Sequence, residues 1–291
     1  MKVILSRKGF DSANGGCPSP IFPDGQMFSL PIPSPRDSRN YGDANYGQYN
    51  LGDVVESLTK GKLSSSSTMH FDPDLSSSAI PRQSDWRPSL GQVGAALTHL
   101  HNQNIEVGDM FLFYGWFRDV EISEQGQHEY ISGSMNRHII FGWLQIGEIL
   151  DVGSNGVAAL AKHPWLEKHP HVVGDRWGKN KIFIASETLD FPSATIDRTI
   201  AGGGIFNKAS THRTLTQAGQ GNRSLWALPK FFSPKNGLAT LTYNINPDKW
   251  TASKNREHIL LDSAKIGQEF VLTVTENEVL RDWLNEIFSE I

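Results

Sequence analysis

Two aromatic, β-branched runs, "VGDMFLFYGWFRDVEI" (107–122) and "HIIFGWLQIGEILDV" (138–152), most constrain what this chain can become. Such residues favour the pleated backbone, and runs of this kind bounded by turn residues form strands. Gly142 and Gly147 fall inside the second run, where a bulge or tight curve would sit. "KNKIFIASETLDF" (179–191) reads as a further strand, as do residues 2–10, "LATLTYNI" and "GQEFVLTV". Residues 25–34 read as another, placed at an edge or ended by Pro31. "SLGQVGAALTHLHN" (89–102) has helical spacing, with Ser89 as cap and Val93, Leu97 and Leu100 on one face. "LGDVVESLTKGK" suits a short helix, and "ENEVLRDWLNEIFSEI" closes the chain as an amphipathic one. Strand–helix–strand alternation does not repeat and no GxGxxG opens a helix, which argues against a dinucleotide fold. The expected class is α+β: a mixed curved β-sheet or small β-barrel with flanking helices and long loops. Residues 1–291 read as a single domain with a Ser-rich loop insertion around 60–88.

Hydrophobic residues make up 38% and charged residues 20% of the 291, the balance of a folded chain rather than a disordered one. A formal net charge of −4 gives no bulk basic field, so contact with nucleic acid would need a local patch. The lone cysteine, Cys17, excludes an internal disulfide and a Cys-rich zinc site, which fits a reducing, cytoplasmic setting. No run approaches the 18 apolar residues of a membrane span, and Met1 to Leu5 is too short for a signal peptide.

Chemistry concentrates in a few short stretches. "SRKGFDSANGGCPSP" (6–20) follows the first strand. Arg7 and Lys8 alternate and so face opposite sides. Asp11 and Asn14 lie beside Gly15-Gly16, and an Arg–Asp pair with free loop amides suits an anionic or planar polar ligand. Cys17 would be a nucleophile if a nearby cation activated it, although a lone cysteine before proline is more often a small buried hydrophobe. "HFDPDL" brings His70, Asp72 and Asp74 to one side of an extended segment. That set suits either general acid/base work or a hard metal, but no fourth ligand is evident and the base reading is preferred. His169-Pro-His171 aligns two imidazoles, although histidines beside prolines are more often plain loop residues. Trp116, His138, Arg223 and Trp226 supply rings and donors that could stack and anchor a base. "AGGGIFNKASTHRTLT", with Lys208, His212 and Arg213, is a weaker sign of a phosphate contact.

Taken in order, "SRKGFDSANGGCPSPIFPDG", "HFDPDL…WRPSLGQVGAALTHL" with "VGDMFLFYGWFR", and "HIIFGWLQIGEI…KHPHV…NKIFIAS" resemble the nucleotide modification associated domain of the third type, over nearly the whole chain. The resemblance implies a setting of DNA base modification in bacteria and phages, without a settled reaction. A weaker similarity of the middle region is to barrels of the PUA, ASCH and EVE type, which bind RNA or a modified base. The expected function is an enzyme that completes or alters a modified base, by hydrolysis or group transfer. Its catalytic residues would come from His70, Asp72, Asp74 and Cys17, and Arg7, Lys8, Asp11, Asn14, Trp116, His138, Arg223 and Trp226 would bind substrate. The alternative is a non-catalytic reader of a modified base. Expected partners are DNA or a modified nucleotide and other base-modification enzymes, with no membrane; no cofactor is specified and no residue is assigned to a metal. Arg7, Asp11, Asn14, His70, Asp72 and Asp74 are expected to line one cleft.

Overall fold

The computed structural model describes residues 1–153, 156–173, 178–190 and 199–291. Among them, ten strands join in one mixed sheet: β1 (Val3–Arg7), β2 (Ser19–Ile21), β3 (Ser89–Val93), β4 (Met110–Ile122), β5 (His128–Tyr130), β6 (Arg137–Asp151), β7 (Asn180–Ala185), β8 (Gly203–Ile205), β9 (Ala239–Leu241) and β10 (Glu269–Val274). The order is β9-β10-β1-β4-β6-β7-β3, with β8 on β6 and both β2 and β5 on β4. β4 runs parallel to β1 and β2, and the remaining pairs are antiparallel. The two aromatic runs form the long central pair. Met110–Tyr114 and His138–Ile146 are buried, as strands covered on both faces require.

Pairing of β6 slips between Ile140 and Gly142 against β4, and between Ile146 and Glu148 against β7. A Cβ on Gly142 would stand 2.6 Å from Leu75 Cδ1 and 2.9 Å from the Gly204 carbonyl, and one on Gly147 would stand 2.6 Å from Ser186 Cα. Both glycines expected at a bulge or tight curve lie at these slips, where neighbouring chain passes too close for a side chain. The sheet is open, with no closed barrel among the described residues.

Helices flank it. α1 (Leu51–Leu58) is capped by Asn50, whose Oδ1 accepts from Gly52 N at 2.9 Å. α2 is Gly94–Asn102, α3 is Gly156–Lys162 and α4 is Asn277–Phe288. α4 buries Phe288 edge-on to Trp143 and Trp283 edge-on to Phe232, closing one side of the main core. A second apolar cluster holds Phe10, Phe28, Tyr41, Val54, Met69 and Phe71. Residues from the Ser-rich stretch thus join a core, and Ser64 to Ser67 are tied by hydroxyl bonds.

Two element expectations are corrected. Residues 25–34 form only isolated bridges, at Gln26, Met27 and Pro33, because two prolines remove the donors a ladder needs; the strand is Ser19–Ile21 instead. The helix expected from Ser89 begins at Gly94, and Ser89–Val93 is the sheet-edge strand β3, paired with β7 from Asn180↔Val93 to Ile184↔Ser89. Tertiary pairing overrides the helical spacing there, and Ser89 caps nothing.

Candidate active site

β3 carries the site. On its outer side lies the extended segment 70–75, held by two backbone bonds between Asp74 and Ser89, each 2.9 Å. On its inner side is β7, which begins at Asn180 after the loop that contains His169 and His171. Segments about a hundred residues apart in the chain are thereby brought against Asp72.

The Asp72 carboxylate is 4% exposed and is fixed at Oδ1, which accepts from Gly91 N at 2.7 Å. Its Oδ2 lies 3.7 Å from His171 Nε2 and 4.0 Å from His70 Nε2, and its Oδ1 lies 3.5 Å from His169 Nε2. The far ends of two rings are held as well. His70 Nδ1 donates to Asp37 Oδ2 at 2.9 Å, and His171 Nδ1 donates to Asn180 Oδ1 at 2.8 Å. Asn180 is oriented in turn by its Nδ2, which donates to the His171 carbonyl at 2.8 Å. His169 Nδ1 accepts from His171 N at 3.2 Å, so the neutral ring carries its proton on Nε2. Among the described residues that buried Nε2 has no hydrogen-bond partner.

Charge is shared unequally. Burial opposes protonation of His70, but the bond to Asp37 and the charge of Asp72 outweigh it and raise its pKa. Burial likewise opposes ionisation of Asp37, and His70 outweighs it. His169 is pushed down to about 3 by burial, against the pull of Asp72, and stays neutral. Burial also lowers His171, despite Asp72 and Asn180. Lys8 faces this side of the sheet, where its charge disfavours protonation of His70 and His171, and Nζ pairs with Glu269 at 3.0 Å. His169 also forms part of the wall of a 630 Å³ cavity with Arg39, Phe71, Trp86, Trp165 and Lys168. Trp165 Nε1 in that wall is a second buried donor without a partner among the described residues.

A separate cavity of 370 Å³ opens at the end of β1 on the other face, lined by Arg7, Asp11, Trp116, His138, Arg223 and Lys265 among others. The Arg223 guanidinium lies 4.1 Å from the Trp116 ring centre, and burial followed by the Arg7 charge lowers its pKa. His138 Nδ1 accepts from Trp226 Nε1 at 3.0 Å.

The sequence-derived residues thus fall into two groups, not one cleft. Arg7, Asp11, Trp116, His138 and Arg223 share the second cavity, while His70 and Asp72 share the histidine cluster. Trp226 lies wholly buried behind His138. Asn14 closes a turn in which Asp11 Oδ1 accepts from the backbone of Ala13 and Asn14, at 2.8 and 2.7 Å. Asp74 is clamped by both terminal nitrogens of Arg82, each 2.6 Å away, with the guanidinium 3.9 Å over Trp86. Cys17 packs against the second apolar cluster, and burial raises its pKa despite Tyr130 and Lys62, so it remains a thiol at neutral pH. Arg213, from the Gly-rich stretch, is buried over Phe206 and donates to the Ile287 carbonyl at 3.0 Å, a structural contact. Asp37, Asn180 and the walls at Trp86 and Trp165 carried no signal in the sequence. His169 and His171 did, through the two-residue spacing that "HFD" shares with "HPH".

The family model for nucleotide modification associated domain 3 matches residues 2–273, and the chain belongs to that family. No curated protein and no solved structure matches it. The family is linked to nucleotide modification, as the resemblance implied. Among the described residues no helix is long and apolar enough to cross a membrane.

Proposed function

We propose that this protein is an enzyme that completes or alters a modified base, in DNA or as a nucleotide, by hydrolysis or group transfer at the Asp72 cluster. One observation carries the reading: His70, Asp72, His169 and His171 meet within 4.0 Å of the Asp72 oxygens, with His169 also walling an aromatic and cationic cavity. Convergent titratable groups of shifted pKa beside a cavity are what proton transfer and water activation need. Trp165 offers a ring face on which a base can stack, and Arg39 and Lys168 suit phosphate. The donors at Trp165 Nε1 and His169 Nε2 gain partners if a polar base edge occupies the cavity. Asp72 is the residue on which the chemistry centres; Asp74, neutralised by Arg82, supports the segment.

A reader of modified bases is the second reading, favoured by the Arg7–Arg223–Trp116 cavity, which offers cations and rings for binding. Mass spectrometry of nucleosides from cells with and without the gene separates the two. The enzyme reading expects a modified nucleoside to appear, vanish or change mass. An unchanged nucleoside profile, together with selective binding of modified DNA that Arg223→Ala abolishes, would replace it with the reader.

A further inference from the structure

We infer that His70 Nε2, Asp72 Oδ2 and His171 Nε2 bind a single divalent first-row transition metal. This deepens the reading above, and depends on it for what the metal does but not for whether it binds. The three side chains bring their ligand atoms within 4.8 Å of one another. Bonds of roughly 2.0–2.2 Å in a tetrahedral or octahedral set require ligand atoms about 3–3.5 Å apart. The observed 3.7 Å and 4.0 Å about Asp72 Oδ2 need a contraction of only several tenths of an ångström, and the edge between the two imidazole nitrogens, within 4.8 Å, needs a larger closure.

The outer partners argue more strongly than the distances. A metal-bound imidazole typically donates its other N–H to a carboxylate, amide or carbonyl, which fixes the tautomer and leaves the second nitrogen to ligate. His70 does this to Asp37 and His171 to Asn180. Asp72 divides its oxygens in the same way, with Oδ1 anchored by Gly91 N–H and Oδ2 turned to the two rings. Three donors from two segments are thus each pinned from behind and directed to one point. Gly91 is shaped to that arrangement, since a Cβ there would stand 2.1 Å from His171 Cδ2. The buried Nε2 of His169, which has no hydrogen-bond partner among the described residues and lies 3.5 Å from Asp72 Oδ1, sits beside that point, as a donor to a group held on the metal would. Two imidazoles and one carboxylate leave coordination positions open, and both Zn(II) and Fe(II) accept such a set. When bound, the metal supplies a Lewis acid able to lower the pKa of a coordinated water.

The test uses the untagged full chain, stripped with a chelator and titrated with Zn(II) against a chromophoric competitor and, without oxygen, with Fe(II). One equivalent should bind, and the tighter arm, together with the metal content of protein as isolated, identifies the metal. His70→Gln and His171→Gln should each weaken binding at least about a hundredfold, and Asp37→Asn about ten- to a hundredfold. Asp37→Asn leaves all three ligands in place, so its effect is informative even if a ligand variant folds poorly by circular dichroism. Failure of both metals to bind stoichiometrically to folded wild-type protein overturns the proposal. Unchanged affinity in the folded His70 and Asp37 variants overturns it equally. Either result leaves the nucleoside comparison above unaffected.

Discussion

Trp226 holds His138 in one tautomer. Its indole N–H donates to His138 Nδ1, and the Arg7 and Arg223 charges stand nearby, so burial first and those charges second push the ring pKa down to about 3. An unfolded histidine titrates near about 6.5. Between the two values the unfolded chain binds the extra proton, so the stability from neutral His138 is present above about 6.5 and falls as pH falls. From pH 7 to 5 that loss is about 2 kcal/mol. Denaturant unfolding of wild type and His138→Gln at both pH values should show a drop smaller in the variant by about that amount. Equal drops would mean that the ring is not held neutral. At Asp72 and Cys17 the contrast is chemical. Asp72→Asn keeps the Gly91 contact but loses the negative charge, and a general base or its equivalent is worth about a hundred- to ten-thousandfold in rate. Cys17→Ser should retain most activity, because the thiol is protonated and set among apolar side chains of another cluster. Kinetics of the folded variants check both.

At the scale of elements, β3 decides whether the cluster exists. Gly91 sits opposite Ile182 on β7, and the His171 ring fills the space its side chain would take. Gly91→Ala should force the ring away, break its bond to Asn180 and cut activity nearly as far as Asp72→Asn, at an overpacking cost of about 1–3 kcal/mol. Thermal melting with the activity assay separates the local effect from global unfolding. Arg82→Ala should cost about 3–5 kcal/mol, because it strands the buried Asp74 carboxylate. Asp74→Asn in the same background should recover part of that loss in denaturant titrations. These elements also mark how far the sequence could be read. The strands at 107–122 and 138–152 and both bulge glycines were legible, because buried aromatic runs and strand glycines have one common cause. β3 was not, since "SLGQV" continues the helical spacing of α2 and its strand state depends on pairing with a segment 80–100 residues onward. His70 and Asp72 were legible as a pair. Their joining to His171 was not, because that contact follows from β3–β7 register.

Across the whole molecule, the alternation of Arg7 and Lys8 separates two sites. Arg7 reaches the aromatic cavity on one face, and Lys8 the histidine cluster on the other. In the proposed function the chemistry lies at the cluster. The direct measurement is nucleoside mass spectrometry on DNA from cells that lack the gene and are complemented with wild type, Cys17→Ser or Asp72→Asn at matched protein levels. Wild type and Cys17→Ser should restore the gene-dependent nucleoside change, and Asp72→Asn, soluble and folded, should not. Full restoration by Asp72→Asn would contradict the account.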